Sequence, residues 1–131
     1  MKLPAIVSPD ELLSRYLLSR SLFIPQKKRV KSSAFLPPPD LKLSVFRVNG
    51  LTEKEIWELG EREVVQQQPT SKTLYGRADV KASSVWNVNL RIDPNDIPPR
   101  HADIIGWPEE KSARKLIALE LAEQAALKLK Y

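Results

Sequence analysis

Leu12, Leu13, Tyr16 and Leu17 fall at helical spacing behind Ser8-Pro9-Asp10-Glu11. In that tetrad Ser8 can cap, Pro9 suits the first helical position, and Glu11 stands where a capping box needs it. The pattern predicts a helix from Pro9 to about Ser21, with Pro25 as its outer limit. From Pro25 to Pro39 the chain turns basic, then Ser-rich, and ends in three prolines, which predicts an extended connector over 25–40. Leu41 to Val48 is rich in residues suited to a pleated surface and predicts a strand, closed by the Asn49-Gly50 turn.

Thr52-Glu53-Lys54-Glu55 is a second capping box, opening a helix that carries Ile56, Trp57 and Leu59. Gly60 leaves two ends open, one at the glycine and one near Val65 with the glycine inside the helix. Two strands are predicted next, over Thr73–Lys81 and Val85–Ile92. In the second, Trp86, Val88, Leu90 and Ile92 alternate with polar residues. The short Ala82-Ser83-Ser84 link makes the two an antiparallel hairpin. Asp93 to Pro108, with four prolines, reads as irregular. A last helix is predicted from about Glu109 to Lys130, with acids in its first turn and Lys128 and Lys130 in its last. Its apolar residues occupy much of the circumference, which implies deep packing or a stripe left for a protein partner. The expected fold is α+β, in the order α-β-α-β-β-α. It is a small, mostly antiparallel sheet of about three strands against three helices, in one domain spanning 1–131.

Composition narrows the function classes. The chain has no cysteine, which excludes thiolate metal sites and thiol nucleophiles and fits a reducing compartment. Met1 to Val7 is too short for a signal-peptide core, and no apolar run is long enough to span a bilayer, so a cytoplasmic protein without membrane contact is expected. The formal net charge is +5, and its placement matters more than its size. Of the 21 basic residues, six (Arg15, Arg20, Lys27, Lys28, Arg29, Lys31) lie between Leu12 and Pro39 without an acid, and the 15 that remain nearly balance the 16 acids. A positive field in one stretch makes an anionic partner the leading expectation.

Arg20, Lys27, Lys28, Arg29 and Lys31 could meet phosphates, with Phe23 and Phe35 beside them as the aromatics on which a single-strand binder stacks bases. The plainer readings are a solvated loop with core aromatics, or a run neutralised by the helix from Glu53 to Glu63, which holds five acids against two bases. Lys28-Arg29-Val30-Lys31 also fits a loose nuclear-import pattern. His101, the one histidine, lies in a Pro-rich segment where Asp103 could orient it and Arg100 could hold a phosphate. No serine sits in a recognisable nucleophile motif, and the plain alternative is a histidine packed on Trp107 or capping a turn.

Pro39-Asp40 with Asp79-Val80-Lys81 resembles the Pro-Asp and Asp-x-Lys elements of restriction-type endonucleases. The resemblance implies Mg²⁺ held by the two carboxylates and a lysine on the phosphate. It covers five residues, with a long spacing, a triple proline before Asp40 and no second acid after it. Asp79 and Lys81 otherwise fit the wet face of a strand. Asp93-Pro94-Asn95-Asp96 lacks the glycine and glutamate of a calcium loop, and four isolated glycines form no phosphate loop. No structural zinc site and no cofactor are expected. The leading expectation is a small non-enzymatic nucleic-acid-binding protein or accessory subunit. A protein-interaction module, or an enzyme on a phosphate-bearing substrate, is the alternative.

Overall fold

The computed structural model describes residues 3–130. Met1 and Lys2, where the segment too short for a signal core begins, lie outside the described residues, as does Tyr131. The strands are β1 (Leu12–Leu17), β2 (Phe23–Ile24), β3 (Arg29–Val30), β4 (Leu43–Arg47), β5 (Gly76–Lys81), β6 (Arg91–Asp93), β7 (His101–Ile105) and β8 (Ala126–Leu129). The helices are α1 (Glu53–Gly60), α2 (Ala82–Asn87) and α3 (Lys111–Gln124). The α+β class stands, but the sheet does not have three strands. It has six, all antiparallel, in the order β6-β7-β4-β1-β5-β8, beside a separate two-stranded β2-β3 sheet.

Helices cover both faces of the large sheet. On one face Leu13, Leu17, Leu43, Val45, Ala78, Val80, Ala102 and Ile104 form a core with Ala118, Leu121 and Ala122 of α3 and Phe35 of the Ser32–Phe35 turn. On the other face Tyr16, Phe46 and Val48 pack against Ile56 and Leu59 of α1. Among the described residues no helix is long and apolar enough to cross a membrane.

The predicted helix over 9–21 is instead β1, near the middle of the sheet. Buried on both faces, β1 needs apolar residues at consecutive positions and so loses the alternation that marks a half-wet strand. Glu11 does not complete a capping box. Its carboxylate takes a two-pronged bond from Arg47, through Nε and, at 2.9 Å, Nη2.

The strand predicted at Val85–Ile92 is also overturned. Ala82-Ser83-Ser84 is the first turn of α2, which buries Ala82 and Val85 one turn apart. Asn89 then takes a left-handed φ of 62° and releases the chain into β6, so β5 and β6 are not a hairpin.

The helix predicted to Lys130 stops at Gln124, because its apolar residues belong to two elements. Ala118, Leu121 and Ala122 are helix-spaced and buried. Leu127 and Leu129 alternate with Lys128 and Lys130, and strand β8 pairs with β5. The stretch expected to be irregular contains β7, whose Ala102 and Ile104 are fully buried. The connector at 25–40 is shaped by the β2-β3 pair and a buried 3-10 turn. The second capping box forms as predicted, with both arms closed between Thr52 and Glu55. After Gly60 the chain continues through a π-helical turn, Glu61–Val65.

Candidate functional site

Two places concentrate chemistry, and they lie on different elements. The first is the β2-β3 hairpin. Its register, Phe23↔Val30 and Ile24↔Arg29, turns Phe23 and Val30 into the core and leaves Arg29 outside. The Pro25–Lys27 turn is closed by the Lys28 N–H donating to the Pro25 carbonyl at 3.1 Å, with Lys28 left-handed. Arg20, Lys27, Lys28, Arg29 and Lys31 are all exposed, and none forms an ion pair among the described residues. Three of the five acids of α1 and the π turn pair elsewhere, Glu53 with Arg77, Glu61 with Lys130 and Glu63 with Arg62, and Glu55 closes the cap on Thr52. Arg20 lies over the Tyr75 ring at 5.1 Å. Phe23 and Phe35 are 7% and 0% exposed, so neither ring offers a face for a base.

The second place is a cavity of about 240 Å³ lined by Arg15, Tyr16, Ser44, Phe46, Glu63, Val64, Gln68, Pro98 and His101. It opens where β1 and β4 part. Their ladder has two pairs, Leu13↔Arg47 and Ser14↔Phe46. Beyond it the Arg15 guanidinium replaces backbone bonding, donating from Nη1 to the Ser44 carbonyl at 3.0 Å and from Nε to the Ala34 carbonyl at 3.1 Å. Burial holds the Arg15 pKa below its ordinary value, and among the described residues no carboxylate forms an ion pair with it.

His101 forms one wall, with its ring edge-on to Phe46 at 5.3 Å. The hydrogen bonds around it fix its tautomer. Asp103 only accepts, so the Asn95 amide turns its Nδ2 toward it, at 2.9 Å, and its Oδ1 toward His101 Nδ1, at 2.7 Å. Nδ1 therefore carries the proton, and Nε2 accepts from the Ser44 hydroxyl at 2.7 Å. Burial pushes the His101 pKa below 6.5, against the opposing pull of Asp103 and Asp93. The imidazole is neutral near pH 7 with both nitrogens engaged, so it can take a proton from a substrate only by releasing Ser44.

The Asp79 and Lys81 pair does not assemble a metal site. The Asp79 carboxylate is buried, taking the Ser14 hydroxyl at 2.6 Å and Arg77 Nε at 3.1 Å. Lys81 is exposed at the strand end, and Asp40 is exposed and accepts from the Lys42 N–H. Among the described residues no three His, Asp or Glu side chains gather as metal ligands. Trp107, offered as a packing partner for His101, donates from its indole to the Ile104 carbonyl.

Reasoning from the sequence placed His101 and Asp103 near each other but missed Ser44, Asn95 and the site role of Arg15. Only Arg15 carried a usable signal, as a cation between Leu13 and Leu17 in a strand buried on both sides. No family model, curated protein or solved structure matches this chain, so the reading of both places rests on their geometry.

Proposed function

We propose that this protein is a small non-enzymatic nucleic-acid-binding protein, or an accessory subunit of a nucleic-acid-processing complex. It would use Arg20, Lys27, Lys28, Arg29 and Lys31 on the phosphate backbone. The observation that carries this reading is five exposed basic side chains, on and beside one hairpin, with no ion pair to any acid among the described residues. A cationic cluster on a held backbone loses less conformational freedom on meeting a phosphate chain than a floppy arm does. With Phe23 and Phe35 buried, contact is to phosphate rather than to bases, so binding is indifferent to sequence.

Fluorescence-anisotropy titrations of labelled single- and double-stranded oligonucleotides at several salt concentrations test this. If all five cations meet duplex phosphates, log K falls against log salt with a slope of about −4.5, at about −0.9 per contact. Reversing Lys27, Lys28 and Arg29 to Glu removes binding. Binding by the reversed variant as tight as by the parent, or a flat salt response, defeats the proposal.

A second reading has one observation in its favour. Leu116 and Leu119, three residues apart on α3, are 69% and 43% exposed and suit contact with a protein partner. Affinity capture of one stoichiometric protein that survives nuclease treatment and is lost in Leu116→Glu favours that reading over the first.

A further inference from the structure

The cavity between β1, β4 and β7 is lined by a cation that has no counter-ion among the described residues. A guanidinium has five N–H donors in a planar fork. In Arg15, Nε and Nη1 are bonded to carbonyl oxygens, whose partial charges compensate a full positive charge only in part. Nη2 has no bonded partner, yet no buried side-chain nitrogen among the described residues is unsatisfied, so Nη2 reaches open space rather than being sealed in protein. Arg15 is a lining residue of the cavity.

The remaining walls decide what could sit there. Phe46, Val64, Pro98 and the Tyr16 ring are apolar surfaces. The Tyr16 hydroxyl is turned away to the Ile56 carbonyl at 2.6 Å, and the Gln68 amide donates to the Val64 carbonyl. His101 is a neutral wall, and the Ser44 hydroxyl donates its proton to His101 Nε2. Glu63 is the one acid of the lining, and its carboxylate is turned to Arg62 Nε at 3.2 Å rather than to Arg15. One cation with one acid in the same lining favours a single negative charge over a phosphate dianion. A volume of about 240 Å³, below the roughly 300–1,000 Å³ usual for small-molecule pockets, is small for a nucleotide and suits a compact organic acid.

We infer that this cavity binds a small organic carboxylate, its charge on Arg15 and its apolar body between Phe46, Val64 and Pro98. The inference does not depend on nucleic-acid binding. Glu63 then acts as a brake on affinity, because its negative charge opposes the ligand's.

The test is a ¹⁵N-HSQC titration of the full chain with sodium benzoate, butyrate, benzamide and inorganic phosphate at constant ionic strength. Benzoate is expected to shift the amides of Arg15, Ser44, Phe46 and His101 saturably. Benzamide, of the same shape without the charge, is expected to bind at least about tenfold more weakly, because the carboxylate alone makes charge-assisted hydrogen bonds. Glu63→Gln is expected to tighten benzoate several-fold, and Arg15→Gln to abolish it. Should Arg15→Gln fail to fold, Glu63→Gln and the benzamide comparison still decide the matter. Shifts that never saturate, benzamide equal to benzoate, phosphate preferred to both acids, or no tightening in Glu63→Gln each overturn the assignment.

Discussion

Replacing Arg77 with Met tests how α1 is joined to the large sheet. Arg77 is 1% exposed on β5, the largest fully buried side chain among the described residues. Its Nε donates to both oxygens of Asp79, Nη1 and Nη2 grip Glu53 at 3.1 and 2.9 Å, and Trp57 lies over the guanidinium at 4.6 Å. One cation thus ties a buried strand to the first turn of α1. Its three partners should contribute unequally. Removing the cation strands the Asp79 carboxylate, only 6% exposed and left with the Ser14 hydroxyl, at a cost of about 3–5 kcal/mol. Glu53 has a side chain that is 70% exposed, so water screens its share to about 1 kcal/mol or less. The Trp57 contact adds about 1 kcal/mol.

Arg77→Met is therefore expected to cost about 4–7 kcal/mol, a large part of the roughly 5–15 kcal/mol by which such a chain is stable. Glu53→Gln should cost under about 1 kcal/mol. Urea unfolding followed by tryptophan fluorescence gives both values, provided the slope with denaturant is unchanged. Adding Asp79→Asn to Arg77→Met removes the stranded charge and should recover a substantial part of the loss. The bonds to Arg77 also hold the Glu53 pKa below 4.5. A carboxyl depressed in the folded state lends stability above its unfolded pKa, lost as the pH falls through the lower folded one. That small acid-side slope should vanish in Arg77→Met. A Glu53→Gln cost equal to that of Arg77→Met, or no recovery from Asp79→Asn, would refute the reasoning.

Gly60→Ala separates propensity from packing. Propensity alone favours the alanine by about 1 kcal/mol. An added Cβ would meet Tyr16 Cε1 at 2.5 Å and Leu74 Cδ2 at 3.0 Å, an overpacking cost of about 1–3 kcal/mol, so a net loss of up to about 2 kcal/mol in urea unfolding is expected, and a gain in stability would contradict the packing. His101 sets a slope near neutrality. Its folded pKa lies below 6.5 through burial, so its contribution is complete above the unfolded value and lost as the pH falls from there through the folded one. Thermal unfolding between about pH 8 and 5 should show that loss and His101→Gln should flatten it. A slope of opposite sign would mean that Asp103 and Asp93 outweigh burial.

What could be read from the sequence was what depends on near neighbours in the chain. The Thr52 capping box closes between residues three apart, and Glu55 has no ion pair among the described residues to draw it away. Leu43–Arg47 and the start of α1 follow from the same kind of local signal. Serine at position 8 met the same local rule and misled, because Glu11 gains more from a buried guanidinium 36 residues away than from a helix N-terminus. With that acid diverted, Leu12 to Leu17 joined the sheet as a strand buried on both faces, whose periodicity cannot be told from that of a buried helix. Leu127 and Leu129 show the converse. Their strict alternation with lysines was a strand signal, read as helix only because the preceding residues are helical.

The sites divide along the same line. Lys27, Lys28 and Arg29 are adjacent in the chain, so the basic hairpin is visible as composition, and folding adds only that Phe23 and Phe35 are withdrawn from it. The cavity depends on register instead. Ser44 meets His101 across 57 residues, Asn95 is oriented by Asp103 from the next strand, and Arg15 becomes a wall because the β1-β4 ladder ends two pairs in. A one-residue slip of β4 would carry Ser44 and Phe46 to the opposite face and dismantle the whole lining. A polar cavity resting on that register is encoded by everything that specifies the sheet, and by no motif within it.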